Sequence, residues 1–64
     1  MYKIAVKGHF WAEDAEAQEH FLTCDGSILD AVRLAEEVKT DMEKVGFEDV
    51  SYKVYLRDSI VAYC

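Results

Sequence analysis

The chain is 64 residues long, and its 13 acidic and 7 basic side chains give a formal net charge of −6 at pH 7. A chain of this length forms one hydrophobic core, so we predict a single domain over residues 1–64. The net charge disfavours long-range attraction to free nucleic acid or anionic membrane and favours a partner with a basic surface.

Neither end of the chain has a basic segment followed by an apolar run, and no apolar stretch approaches the length of a membrane span. We therefore expect a cytoplasmic protein without a membrane partner. Its two cysteines, Cys24 and Cys64, are too few for the disulfide framework of a small secreted domain, so we expect reduced thiols.

Two strands are predicted in the first part of the chain. In YKIAVKGHFW, Tyr2 to Trp11, the side chains alternate as in a strand with one buried face. Gly8 within this run indicates a β-bulge or a close approach of another backbone. The returning strand is Ala17 to Cys24, and the Asp25-Gly26 pair that follows it is a stop signal.

The connection between these two strands is rich in carboxylates. The stretch AEDAEAQEH, residues 12–20, contains Glu13, Asp14, Glu16 and Glu19. Hairpin connections normally carry polar residues, so a solvated loop is one interpretation. The other interpretation is mimicry of nucleic-acid phosphates, in which the carboxylates enter a groove lined by arginine and lysine.

An amphipathic helix is predicted within Ser27 to Phe47. Ser27 and Asp30 have the spacing of a capping box, and Gly46 supplies a left-handed residue past the helix end. The apolar residues recur every three or four positions and so share one side. They are Ile28, Ala31, Val32, Leu34, Ala35, Val38, Met42 and Val45. The charged, solvated side includes the acids Glu36, Glu37 and Glu43.

A second hairpin is predicted after the helix. Apolar and polar residues alternate from Val50 to Arg57, and Arg57-Asp58-Ser59 turns the chain into a last strand, Ile60 to Cys64. The order is therefore ββαββ, an α+β fold with one helix on one face of a four-stranded antiparallel sheet. Because the helix carries the chain back before the third strand, that strand runs beside the first, which predicts the spatial order 2-1-3-4.

Strand alternation assigns basic and aromatic side chains to the sheet face opposite the helix. The residues predicted there are Lys3, Lys7, His9, Trp11, Lys53, Tyr55 and Arg57, with Val61 or Tyr63 from the last strand. This open face has three interpretations: a solvated surface, a homodimer contact that buries the aromatic rings, or a platform that binds single-stranded nucleic acid.

No residue pattern indicates catalysis, a metal site or a cofactor. His20 and Cys24 are four residues apart, with His9 upstream, but the closely spaced Cys and His pairs typical of zinc sites are missing. No set of residues satisfies the checklist for an active site. We therefore predict that the protein is not an enzyme and has no catalytic residue, metal or cofactor.

The layout of the chain resembles that of small inhibitor proteins encoded by phages and mobile elements, including anti-CRISPR proteins. The shared features are the short length, a strand pair leading through TCDGSILDAV into one amphipathic helix, and the closing hairpin YKVYLRDSIVAY. The resemblance covers nearly the whole chain. It implies a non-enzymatic inhibitor that acts in the host-cell cytoplasm by blocking a nucleic-acid-binding surface of a host complex.

Two functional hypotheses follow. The first is an acidic inhibitor that mimics nucleic acid and contacts a basic surface of a protein partner. Its predicted contact residues are Glu13, Asp14, Glu16, Glu19, Glu36, Glu37 and Glu43. The alternative is a nucleic-acid binder that uses the open sheet face, through Lys3, Lys7, Trp11, Lys53, Tyr55 and Arg57.

Overall fold

The computed structural model of the chain describes residues 1–10 and 17–64. Its elements are β1 Tyr2–Phe10, β2 Gln18–Cys24, α1 Ile28–Lys44, β3 Phe47–Leu56 and β4 Ser59–Tyr63. The strands form one antiparallel sheet in the order β2-β1-β3-β4. The predicted α+β fold, its ββαββ order and its strand arrangement are confirmed.

Local hydrogen bonds determine where α1 begins and ends. The Asp30 N–H donates to Oγ of Ser27 at 3.3 Å, and the Ser27 N–H donates to the Asp30 carboxylate at 3.1 Å, which confirms the capping box. After the helix, Gly46 has a φ of 109°, a value that side chains disfavour, and its N–H donates to the Glu43 carbonyl at 3.2 Å. Within the described residues, no helix has the length and hydropathy needed to cross a membrane.

The hydrophobic core lies between α1 and one face of the sheet. At its centre, Ile4, Val6 and Val54 from the two middle strands pack against the helix residues Ala31 and Ala35. The two alanines are four residues apart, so they lie on the same side of the helix and present only methyl groups to the sheet. The remaining buried members of this cluster are Met42, Val50 and Tyr52. Ile28 and Val45, predicted for the apolar side of the helix, are exposed because they lie at its two ends.

A β-bulge alters the start of β3. Gly8 of β1 lies opposite two residues of β3, Asp49 and Val50, instead of one. Asp49 has a φ of 53°. Because the bulge interrupts the alternation, the sequence pattern is regular only from Val50 onward, although the strand begins at Phe47. A Cβ on Gly8 would lie 2.9 Å from Cγ2 of Val50, so a side chain approaches this glycine closely, and the extra residue of the bulge is in β3 rather than in the strand that contains Gly8.

Tyr52 packs in the core beneath α1 and is 6% exposed. Desolvation by burial raises the pKa of Tyr52 above its usual value of 10.0, and the negative charges of Glu36 and Cys64 raise it further. Lys39, whose Nζ lies 3.7 Å from Sγ of Cys64, lowers this pKa in part. The folded protein therefore holds the Tyr52 proton more tightly than the unfolded chain does.

We expect the free energy of unfolding to fall as the pH rises above about 10. The unfolded chain releases the Tyr52 proton near its usual pKa, whereas the folded protein retains it to a higher pH. This contribution to stability is fully present below the unfolded pKa and is lost as the pH rises through the folded one. Urea denaturation followed by circular dichroism between about pH 8 and about pH 11 measures the decline. The decline should be smaller in Tyr52→Phe, and parallel curves for the two proteins would exclude Tyr52 as its cause.

Candidate functional site: the open sheet face

The open face is the side of the sheet turned away from α1. In β1, Ile4 and Val6 belong to the core, and they alternate with Lys3, Ala5 and Lys7. Successive side chains of a strand point to opposite faces, so these three residues lie on the open face. Their partners in the neighbouring strands define the rest of it.

Cross-strand pairing arranges the side chains of the open face in rows. The middle row crosses all four strands through Phe21, Ala5, Lys53 and Tyr63. The row on one side of it consists of Thr23, Lys3, Tyr55 and Ile60. The row on the other side consists of Glu19, Lys7 and Ser51. Because neighbouring strands are about 4.8 Å apart, a full row is about 14 Å wide.

A shallow groove of about 600 Å³ lies on this face across β2, β1 and β3. Ala5 has the shortest side chain in the middle row and is only 6% exposed, so it lies at the floor of the groove, with Lys3 and Tyr55 along the side. Phe21, on the β2 side, is 74% exposed. A ring this exposed can bury most of its area against a ligand.

Lysines dominate the charge of the open face. Lys3, Lys7 and Lys53 are all exposed, and Glu19 is the one carboxylate in the three rows. Across residues 1–10 and 17–64, the one acid–base pair within 4 Å joins Nε2 of His9 to Oδ2 of Asp49 at 3.6 Å. No described carboxylate therefore lies within that distance of the three ammonium groups, and Glu19 is the one acid of the open face paired directly opposite a lysine, Lys7.

Most of the residues predicted for the open face are found together there. Lys3, Lys7, Lys53, Tyr55 and Tyr63 share the three rows. His9 lies at the end of β1, opposite Glu48 and next to the bulge. Arg57 lies in the two-residue turn between β3 and β4, with a φ of 58°, and so is not part of a strand. Trp11 lies outside the described residues.

Phe21 was not predicted as a residue of this face. It is adjacent to another apolar residue, Leu22, and the alternation of β2 alone does not decide which of the two faces the core. Pairing with β1 decides it, because Leu22 lies opposite the core residue Ile4 and Phe21 lies opposite Ala5. Leu22 and Cys24 pack against the core, in agreement with this register.

The acids predicted to contact a partner are divided between surfaces. Glu36, Glu37 and Glu43 are exposed on α1. Glu19 is on the open face, opposite Lys7. Glu13, Asp14 and Glu16 lie outside the described residues.

The outer surface of α1 carries charges of both signs. A groove of about 520 Å³ on this surface is lined by Arg33, Glu36, Glu37, Thr40, Asp41 and Lys44. Basic side chains therefore lie among the helix acids and reduce the local negative potential. The open face is the more uniform of the two charged surfaces.

The histidines and cysteines singled out in the sequence are spread over the fold. His20 and Cys24 both lie on the helix side of β2, but four residues of strand separate their Cα atoms by about 13 Å. Both cysteines are free thiols. Among the described residues, no three His, Cys, Asp or Glu side chains are placed to hold a metal ion together.

Comparison of the chain with protein-family models, with curated proteins and with solved structures found no match. A proposal for the function of this protein therefore depends on its own surfaces. Of the surfaces described above, the open face combines the most uniform charge with exposed aromatic rings and a groove.

Proposed function

We propose that this chain is a non-enzymatic binding protein and that its open face binds single-stranded nucleic acid. The observation that carries the proposal is the close mixture of charge and aromatic rings in two adjacent rows. Lys3 and Lys53 lie there among three aromatic side chains, Phe21, Tyr55 and Tyr63.

Single-stranded nucleic acid offers both kinds of group that this surface fits. Its unpaired bases have exposed π faces, and stacking on an aromatic side chain contributes about 1–3 kcal/mol per base. Its phosphates bind ammonium groups and release counterions when they do so. A duplex keeps its bases stacked inside, so it cannot use the rings of Phe21, Tyr55 and Tyr63. We therefore expect a preference for single strands.

The net charge of −6 opposes this binding at long range, and α1, with five acidic and three basic side chains, carries −2 of it. The Cα trace is 16 Å across in its thinnest direction, and α1 and the sheet form separate layers. Charges on the outer side of α1 are thus more than one Debye length, about 8 Å at physiological ionic strength, from a phosphate on the open face. The helix charges are therefore largely screened there, and the charges on the open face itself, Lys3, Lys7, Lys53 and Glu19, act at contact distance.

Fluorescence anisotropy with labelled DNA and RNA oligonucleotides of about ten nucleotides tests the proposal, because the sheet has room for only a few bases. At low salt we expect both single strands to bind and a duplex of the same sequence to bind at least tenfold more weakly. Unchanged anisotropy of the single strands at the highest protein concentration would reject the proposal.

A second candidate function is the inhibitor that the resemblance implies. It is supported by the exposure of Glu36, Glu37 and Glu43 on the layer opposite the lysines, where they can meet a basic partner surface without involving the open face. In this function the chain, as a phage-type inhibitor, occludes a nucleic-acid-binding surface of a host complex. Affinity capture from the native cell should then recover a basic nucleic-acid-handling protein with wild type and lose it when the three glutamates are changed to lysine. Equal recovery with both proteins would remove this candidate.

A further inference from the structure

The edge strand β4 lacks the side chains that usually prevent an edge from pairing. In the described part of the chain, β3 is its one neighbour in the sheet. Its sequence, SIVAY, contains no charged residue and no proline, whereas the opposite edge strand β2 includes Glu19 and His20. Charged side chains and proline are common means of blocking an edge strand. In charge and proline content, β4 is therefore the less protected of the two edges, and its one blocking feature is the register shift at Val61.

Three apolar side chains of β4, those of Ile60, Val61 and Tyr63, are exposed, whereas Ala62 packs against the core. Tyr63 is 79% exposed and Ile60 is 50% exposed, and Val61 between them has no partner in β3 because the register shifts there. The N–H of Cys64 donates to the Tyr52 carbonyl of β3 at 3.1 Å. Backbone groups alternate in direction along an antiparallel strand, so the N–H of Tyr63 points to the outer edge. No described strand accepts a hydrogen bond from it.

We propose that β4 pairs antiparallel with β4 of a second copy of this chain, which joins the two sheets into one sheet of eight strands. A two-fold axis brings the same strand from each copy together, and an uncharged strand meets its own copy without placing like charges opposite each other. The pairing supplies partners for the outward backbone groups and buries part of Ile60, Val61 and Tyr63.

The positions of the lysines favour edge pairing over pairing of two open faces. In the edge dimer, Lys53 and its copy lie three strand spacings apart, about 14 Å, which exceeds the Debye length of about 8 Å. Stacking two open faces would instead bring Lys3, Lys7 and Lys53 close to their copies. The edge dimer leaves both open faces accessible and makes them continuous across the axis.

Sedimentation equilibrium and light scattering on the whole chain, without nucleic acid, test this inference. We expect a mass of twice 7.3 kDa at high concentration that falls toward 7.3 kDa on dilution. Tyr63→Pro removes the outward N–H, and Val61→Lys places a charge on the edge. Each should raise the dissociation constant of the dimer at least tenfold. Circular dichroism shows whether each variant is folded. If one of them has unfolded, the dissociation constant of the other tests the inference.

The control is Leu29→Lys, which makes the same kind of apolar-to-lysine change on α1, where the side chain is 68% exposed. It should leave the dimer unchanged. A mass of 7.3 kDa at all concentrations up to about 1 mM, or a mass above that of a dimer, would overturn the inference. It would also be overturned if the folded edge variants did not weaken the dimer, or if Leu29→Lys weakened it as much as they do. None of these outcomes affects the oligonucleotide measurement, so the two proposals fail separately.

Discussion

Changing Lys3 and Lys53 together to alanine should weaken binding of a single-stranded oligonucleotide at least tenfold and reduce its salt dependence. Each lysine that neutralises a phosphate of a single strand contributes about −0.7 to the slope of log Kobs against log salt concentration. If all three lysines of the open face take part, the wild-type slope is about −2, and the double variant retains about −0.7. Both side chains are exposed, so the changes should not disturb the core.

Anisotropy titrations at several salt concentrations between about 25 and 200 mM give both slopes. The matched control is Lys44→Ala, because Lys44 is also exposed but lies at the end of α1, in the other layer. We expect its slope to equal that of the wild type. An unchanged slope in the double variant, or an equal loss in the control, would show that the phosphates do not bind at the open face.

Ile4→Ala should unfold the protein or leave it barely stable. Ile4 is 1% exposed and lies in the middle of the core cluster, with Val6 and Val54 beside it and alanines on the facing helix. Replacing a buried isoleucine by alanine costs about 2–5 kcal/mol, because apolar contact is lost and the cavity fills only partly. A core in a chain this short rarely supplies more than about 3–5 kcal/mol in total. Urea denaturation followed by circular dichroism measures the loss.

Phe21→Ala is the matched control for this change, because it removes a larger apolar side chain from the exposed side of the sheet. We expect its free energy of unfolding to stay within about 0.5 kcal/mol of the wild type. Its affinity for single-stranded oligonucleotide should fall by about 1–3 kcal/mol, the contribution of one stacked base. If Phe21→Ala were as unstable as Ile4→Ala, the ring would be a packing residue and the groove would lose its proposed stacking surface.

The sequence by itself determined the elements that depend on near neighbours. The capping box joins Ser27 to Asp30, three residues away, and the helix ends before Gly46 because that glycine adopts a positive φ. The alternation in β1 predicted which residues face the helix, since Ile4 and Val6 are the apolar members of the pattern. The strand order also followed from the chain, because a helix between two hairpins returns the chain to the side of the first strand.

Only the tertiary structure decided the features that depend on pairing between distant residues. The bulge at Asp49 exists in relation to Gly8 of β1, and the side taken by Phe21 follows from its pairing with Ala5. Glu19, predicted with the acids of the connection, lies on the open face because β2 pairs with β1 in the register that sets Glu19 opposite Lys7. The physical reason is that the alternation of side chains in the sequence separates the residues of a strand into two sides. Hydrogen bonds to the neighbouring strands then determine the register and which of those sides faces the core.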